Sequence, residues 1–364
     1  MKIRSVQTRI VEIPFQDGGK GLGITPTTWN TLETVLIRVE DTDGNVGWGE
    51  AFGYFISDST KAVVDRLIKP LLEGTAVDSI TAWSERIQRQ LHLFGRYGVT
   101  MFAISGVDMA LWDLYAKRAG LPLYKVLGEG SKLRQSTYAS LVRYGDTEIA
   151  PQICRKALDE GFTSLKLHEI AMAPIEACDR ETRGEVPISV DVNCSWTLPE
   201  SKANLQRLQE MGSISWLEEP VFAPENFAAL NQLRNPDVPI AAGENWCTEM
   251  QFRHALQAGA VDYIQPSVSK VGGVTEYLKI MQTATEFDVG VLPHSPYFGP
   301  GFLATLHLAA AFPQTLQVEY LYVEPAAWLI DLSPLRQGAD FVLDDQPGIG
   351  LQPDEAVVSR FLRS

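Results

Sequence analysis

Between about residue 135 and residue 320 the chain repeats one pattern, a short apolar run followed by a segment of helical spacing. Strands are expected at 136–142, 164–168, 188–193, 214–218, 239–244, 263–267, 290–294 and 316–319. Helices are expected at 148–160, 200–211, 249–258, 274–287 and 304–312, with Gly161 and Gly212 ending the first two. Strands that alternate with helices must pair in parallel, because each helix carries the chain back to the sheet's starting edge. Eight such strands over about 190 residues predict an α/β protein built on a closed (β/α)8-type barrel. A doubly wound open sheet is the alternative. It is disfavoured because no glycine-rich dinucleotide fingerprint follows any strand, and Gly128 to Lys132 reads as a plain loop that lacks a complete phosphate-binding pattern.

The first 125 residues read differently. Strands are expected at 3–13, 34–40 and 45–50, the last two joined by the Asp43-Gly44 turn signal. Helices are expected at 61–72, 80–93 and 100–119, the last stopped by Gly120 ahead of Pro122. Between the first two strands, residues 16–30 are rich in Gly, Thr and Pro and read as a mobile loop. This gives an α+β block over 1–125, a barrel over 126–321, and a tail over 322–364 with a short strand near 341–343. The tail falls outside the repeating units and is expected to return to the N-terminal block.

Polar residues at the carboxyl ends of barrel strands face a common site. Here those ends carry His168, Asp191, Glu218, Glu244, Ser267, His294 and Glu319, at successive spacings of 23, 27, 26, 23, 27 and 25 residues. One polar side chain therefore arrives per unit at the same station. Asp191, Glu218 and Glu244 occupy three consecutive stations, and converging negative charges repel unless a cation lies among them. All-oxygen donors favour a hard ion, Mg²⁺.

Composition narrows the partners. There are 31 Lys and Arg against 45 Asp and Glu, a formal charge of −14, which argues against nucleic acid or an anionic membrane. Cys154, Cys178, Cys194 and Cys247 form no CxxC pair, so neither a disulfide framework nor a zinc cluster is suggested, and a reducing cytoplasmic setting is expected. No apolar run approaches the roughly 20 residues of a membrane span. Residues 1–15 alternate apolar and polar as a strand does, unlike a targeting signal.

The segments Trp216-Leu217-Glu218-Glu219-Pro220, Gly243-Glu244-Asn245-Trp246 and Lys270-Val271-Gly272-Gly273 closely resemble those of the enolase superfamily, in its mandelate racemase/muconate lactonizing enzyme family. Gly47-Trp48-Gly49-Glu50 and the run from Ile104 to Lys117 resemble that family's capping domain, so the likeness covers nearly the whole chain. It implies a modified TIM barrel whose capping domain is formed by the N-terminal region and the C-terminal tail. It further implies Mg²⁺ held by Asp191, Glu218 and Glu244, and a carboxylate substrate that loses its α-proton through an enediolate.

Two features depart from the family. Its Lys-x-Lys on the second barrel strand is here Lys166-Leu167-His168, both side chains pointing inward, so an imidazole stands where a lysine base is usual. Lys166 is expected to favour neutral His168 and to reach the substrate carboxylate. The racemase type pairs a seventh-strand His with a sixth-strand Asp; here His294 faces Ser267, a hydroxyl that orients imidazole without stabilising imidazolium. A muconate-type lysine at that station is also absent, and Lys270 is read as structural. Glu319 is a candidate acid or hydrogen-bond donor, with Glu324 as its rival. Asn193, Asn245, Ser267, Lys20, Trp29 and Tyr54 are candidate substrate contacts, the last three, with Phe52, from loops over the barrel mouth.

These residues predict a Mg²⁺-dependent hydro-lyase acting on a sugar acid, an aldonate or aldarate, to give a 2-keto-3-deoxy acid. A racemase, epimerase or lactone cycloisomerase of the same family is the alternative, and a catalytically impaired ligand-binding relative is the second. The partner is a small carboxylate, and the resemblance implies a homo-oligomer.

Overall fold

A computed structural model describes residues 1–20, 28–128 and 132–363. The centre of the expected mobile loop and of the loop from Gly128 to Lys132 lies outside the described residues. The chain begins with an antiparallel meander, β1 (Ile3–Gln16), β2 (Thr31–Asp41) and β3 (Val46–Ala51). Helices α1 (Ser57–Val63), α2 (Ile80–Gln90) and α3 (Gly98–Ala119) pack on it. α1 continues through a π-helical turn, Val64–Ile68, into Lys69–Leu72.

The glycines of the Gly47-Trp48-Gly49-Glu50 motif explain how β3 meets α3. A Cβ at Gly47 would lie 2.0 Å from Ala110 O, and one at Gly49 would lie 1.9 Å from Gly106 O. Only bare backbone lets the strand rest on the helix.

The barrel strands are β4 (Thr137–Leu141), β5 (Leu165–Leu167), β6 (Ile188–Asp191), β7 (Ile214–Glu218), β8 (Ile240–Ala242), β9 (Tyr263–Ile264), β10 (Gly290–Val291) and β11 (Val318–Leu321). They are parallel, in the order β10-β9-β8-β7-β6-β5-β4-β11. The Val291↔Thr315 bridge and the Leu316 N–H to Val291 O bond close the ring. The barrel expectation holds, and the open sheet is excluded.

The crossover helices are α4 (Ile149–Asp159), α5 (Met172–Thr182), α6 (Leu198–Met211), α7 (Thr248–Gln257), α8 (Gly273–Glu286) and α9 (Pro300–Ala311), with a short turn of helix at Phe227–Asn231. Sequence reading missed α5 and Phe227–Asn231. Pro174 breaks the helical pattern of α5, yet it sits in the first turn, where a missing N–H costs little. α6 starts on a Thr197/Glu200 capping box and ends at Gly212 in a left-handed conformation.

Among the described residues no crossover helix directly follows β11, the next helix being Glu355–Arg360 near the end of the tail. Instead the outward face of Tyr320 packs on Trp328 and Phe341, with ring centroids 6.4 and 5.9 Å away. The tail returns to the N-terminal block at once and makes one detour before it ends there. In that detour Arg336–Gln337 pairs antiparallel with Asp340–Phe341, and Phe341–Val342 pairs with Arg134–Gln135 just ahead of β4. Contact with β1 is made on either side of that excursion, by Glu324–Pro325 against Phe15 and Gln16, and by the Leu362 bridge to Val11.

Buried acids tie the cap to the barrel. Glu50 accepts the Gly301 N–H at the start of α9 (2.9 Å) and the Thr34 hydroxyl (2.8 Å). Asp108, on α3, accepts the Thr275 N–H in the first turn of α8 (2.9 Å). Asp113 accepts Trp48 N–H and Ile349 N–H, both at 2.8 Å, and pairs with Lys117 at 2.7 Å. Helix N-termini leave unpaired N–H groups and carry positive potential, so a carboxylate is the natural plug. Among the described residues, no helix is long and apolar enough to cross a membrane.

Candidate active site

The carboxyl ends of β6, β7 and the segment after β8 bring Asp191, Glu218 and Glu244 together. Each offers an oxygen, and these lie within 4.8 Å of one another. Asp191 and Glu218 have no exposed surface. Burial, and then the Asp191 charge, push the Glu218 carboxyl well above its usual range despite Lys166. Burial works against the Glu244 charge as well, but His294 and the lysines 270 and 166 overcome it and hold the carboxyl well down. Three anions so close, with oxygen donors only, fit a hard divalent cation.

Lys166 is wholly buried among acids. Its Nζ lies 2.8 Å from Glu319, 3.0 Å from Glu218 and 3.8 Å from Asp191. Burial opposes its charge, but the Glu218 and Glu319 carboxylates win and raise its pKa well above that of a free lysine. Its role is to balance the acids, with Tyr138 beneath it, the Nζ 5.7 Å from the ring centre.

Glu319 is not poised as an acid. Despite burial, Lys166 and then His294 bring its pKa down to about 2. Both oxygens accept hydrogen bonds, from the Ser140 hydroxyl (2.7 Å) and the Ser295 N–H (2.8 Å). A carboxylate in this state holds Lys166 and the loop after β10 in place. Glu324 is no rival, since it is exposed and paired with Lys156.

The two histidines stand on opposite flanks of the acid cluster. His168, just beyond β5, places Nε2 3.3 Å from Asp191, while Nδ1 lies 2.5 Å from Leu141 O. A carbonyl only accepts, so Nδ1 carries a proton and Nε2 is the nitrogen turned towards the acid cluster. His294 Nε2 lies 3.0 Å from Glu244, and its buried Nδ1 has no hydrogen-bond partner among the described residues. The expected orientation of His294 by Ser267 does not occur. The Ser267 hydroxyl bonds to the Tyr297 hydroxyl instead, because Tyr297, three residues after His294, turns back under the loop.

Asn193 binds Asp191 through its backbone N–H (2.8 Å) and its amide (3.1 Å), with a left-handed φ of 44°. Asn245 donates to both Glu219 oxygens (3.1 and 2.9 Å) and to Glu244 (3.2 Å), and accepts from Lys270 (3.2 Å). Both asparagines therefore shape the acid cluster. Lys270 also lies 5.0 Å above the Phe52 ring of the cap. Trp29 and Tyr54 pack together at 5.2 Å under the cap, and the Tyr54 hydroxyl donates to Pro296 O, two residues past His294. Lys20 is mostly exposed and pairs with Asp146 at 3.2 Å, which places it at the rim and away from the acids.

Sequence reading missed Arg143 and Glu219. Arg143, two residues past β4, donates to His168 O (2.7 Å) and Asn193 Oδ1 (2.9 Å). It was the first strand's contribution to the run of strand-end polar residues, one unit ahead of His168. Glu219 follows Glu218 and is buried and tied to Asn245.

Comparison with known proteins agrees with this geometry. Residues 7–128 match the mandelate racemase / muconate lactonizing enzyme N-terminal domain, and residues 150–357 match the enolase C-terminal domain-like family. An arabinonate dehydratase of Saccharolobus solfataricus is 29% identical over 95% of each chain. A D-galactarolactone cycloisomerase of Agrobacterium fabrum is 27% identical over 99% of each. Among solved structures, a racemase of Streptomyces coelicolor A3(2) with bound magnesium superposes with a TM-score of 0.85, at 25% identity over 99% of this chain and all of that one.

Proposed function

The chain belongs to the mandelate racemase/muconate lactonizing enzyme family of the enolase superfamily, and from that premise we propose that it is a Mg²⁺-dependent sugar acid dehydratase. It is an enzyme, a lyase or an isomerase. Asp191, Glu218 and Glu244 would hold the metal. When bound there, Mg²⁺ supplies positive charge to the substrate carboxylate and so favours the negative charge that develops on it.

One observation carries the choice of dehydration: the two histidines differ. His168 has its Nδ1 proton committed to Leu141 O, so Nε2 is held ready to take the proton α to the carboxylate. His294 has no acceptor for its Nδ1 among the described residues and lies on the other flank. Racemisation needs two bases on opposite faces, each able to take and return the α-proton, whereas loss of water needs one base and one acid. His168 takes the α-proton, the C–H electron pair moves into the enediolate, and the β C–O bond breaks. His294, as imidazolium, protonates the departing hydroxide, and the enol product becomes the 2-keto-3-deoxy acid.

The substrate is an aldonate or aldarate. Lactone cycloisomerisation is the second reading, favoured by the likeness to the A. fabrum enzyme. Incubation with Mg²⁺ and a panel of acid sugars in D₂O separates the two readings. Keto acid formation supports dehydration. Rearranged or inverted product carrying α-deuterium, with no keto acid, overturns it in favour of an isomerase.

A further inference from the structure

We propose that Arg143 sets the substrate class, its guanidinium binding the second carboxylate of an aldarate while the first faces the acid cluster. This inference rests on the acid-sugar reading above and narrows it.

Seven arginines are half-buried among the described residues, and six of them, Arg9, Arg38, Arg96, Arg155, Arg253 and Arg363, have a carboxylate within 4.0 Å. Arg143 is the exception among them, with no carboxylate in that range among the described residues. Its nearest negative neighbours are otherwise engaged. Glu169 accepts the Tyr144 N–H (2.7 Å) and the Gly145 N–H (3.0 Å), and Asp191 faces His168, Lys166 and Asn193.

A half-buried guanidinium with no carboxylate in contact has lost hydration that its two hydrogen bonds repay only in part, and burial weighs against its charge more than Asp191 and Glu169 favour it. An anion is the partner that repays this most, because a planar guanidinium matches a carboxylate in two parallel hydrogen bonds. Two edges of the group are already used. Nε is held by His168 O and Nη2 by Asn193 Oδ1, which fixes the plane, while Nη1 has no hydrogen bond among the described residues.

The location suits the far end of a substrate rather than the reacting end. Arg143 lies on the first barrel strand's exit, and Asn193 stands between it and Asp191. The following residues meet the cap: the Tyr144 hydroxyl donates to Asp17 O (2.9 Å), and Asp146 pairs with Lys20. A sugar acid with one carboxylate at the acid cluster would extend along this rim.

The test uses matched pairs, galactarate with galactonate and glucarate with gluconate, in the presence of Mg²⁺. Binding is read by calorimetry and turnover by keto acid formation, on the wild-type enzyme, Arg143→Lys and Arg143→Gln, with folding checked by circular dichroism. The wild type is expected to bind one aldarate at least about tenfold more tightly than its aldonate. Arg143→Gln should abolish that preference by weakening the aldarate at least about tenfold more than the aldonate, and Arg143→Lys should retain part of it. Equal affinity within every pair, binding of no member of either pair, or equal weakening of both members in Arg143→Gln would overturn the proposal. In the last case the arginine serves only to hold His168 and Asn193. Arginine-dependent aldarate binding with no keto acid would break the dehydratase reading and leave this one standing.

Discussion

The cap and the barrel each bury a set of acids, and the two sets live by different rules. Glu50, Asp108 and Asp113 sit singly, and each meets backbone N–H donors from another element. Asp191, Glu218, Glu244 and Glu319 sit together, and their neighbours are one another, a lysine and two histidines. The first arrangement serves folding, although Asp108 keeps one buried oxygen without a partner among the described residues, and it gathers no charge for chemistry. The second concentrates charge that folding alone would avoid, which is the mark of a site kept for a ligand. Most acids in both regions are buried, Glu244 alone being partly exposed, so it is the identity of the partners that separates structural acids from functional ones.

The largest effect expected from breaking this contrast is at Glu218. Glu218→Gln should lower kcat/KM by about 10³-fold or more, with the thermal midpoint in the absence of metal unchanged or raised, because a like-charge repulsion is removed. Mg²⁺ at a hundredfold excess over its Kd should stabilise the wild type by about 2.7 kcal/mol, and Glu218→Gln by much less, in thermal scans. Retained Mg²⁺-dependent turnover would place Glu218 with the acids of the cap.

The histidines come next. His168→Asn and His294→Asn should each cost about 10²–10⁴-fold in turnover. In D₂O, His294→Asn should still exchange the α-proton without forming keto acid, whereas His168→Asn should lose exchange as well. Exchange lost equally in both variants would assign the two rings the same role.

In the cap, Glu50→Ala leaves the Gly301 N–H and the Thr34 hydroxyl without their partner and should cost about 1–3 kcal/mol in urea unfolding. Glu50→Gln should recover much of this, with turnover of the folded enzyme little changed. A variant as stable as the wild type would show that this acid does not hold the domains together.

A pH dependence is expected at Asp108, whose pKa burial pushes up to about 7, with Glu276 adding to the rise and the Thr275 hydrogen bonds opposing it. Because the folded value exceeds the unfolded one of about 3.9, the stability tied to its protonated form is full below that lower value. It is lost as pH rises towards 7. Asp108→Asn, which keeps an oxygen for the Thr275 N–H, should therefore gain stability relative to wild type across pH 4 to 7 and level off above. A flat difference across that range would mean that Asp108 is ionised throughout.

Much of this was readable in the sequence. The strand-end residues kept their phase, and Asp191, Glu218 and Glu244 do converge, because a closed parallel barrel presents one side chain per unit at one end. Arg143 belonged to the same series and was passed over because the first expected strand, 136–142, stopped one residue short of it. The helix Met172–Thr182 was hidden by Pro174, which breaks a helix in its interior and is harmless in its first turn.

The sequence by itself determined the barrel, the capping block and the convergence of Asp191, Glu218 and Glu244, since periodicity and spacing are local properties that the backbone converts directly into direction. Only the tertiary structure decided the partnerships: Lys166 with Glu319, Ser267 with Tyr297 and not with His294, and Arg143 with no acid within reach among the described residues. Such pairings depend on distances of a few ångströms across the ring and between the ring and its cap. Those distances exist only once strands far apart in the chain have closed on one another. Charge and proton affinity follow from them, which is why Glu319 could be located from the sequence, while its state as a carboxylate could not.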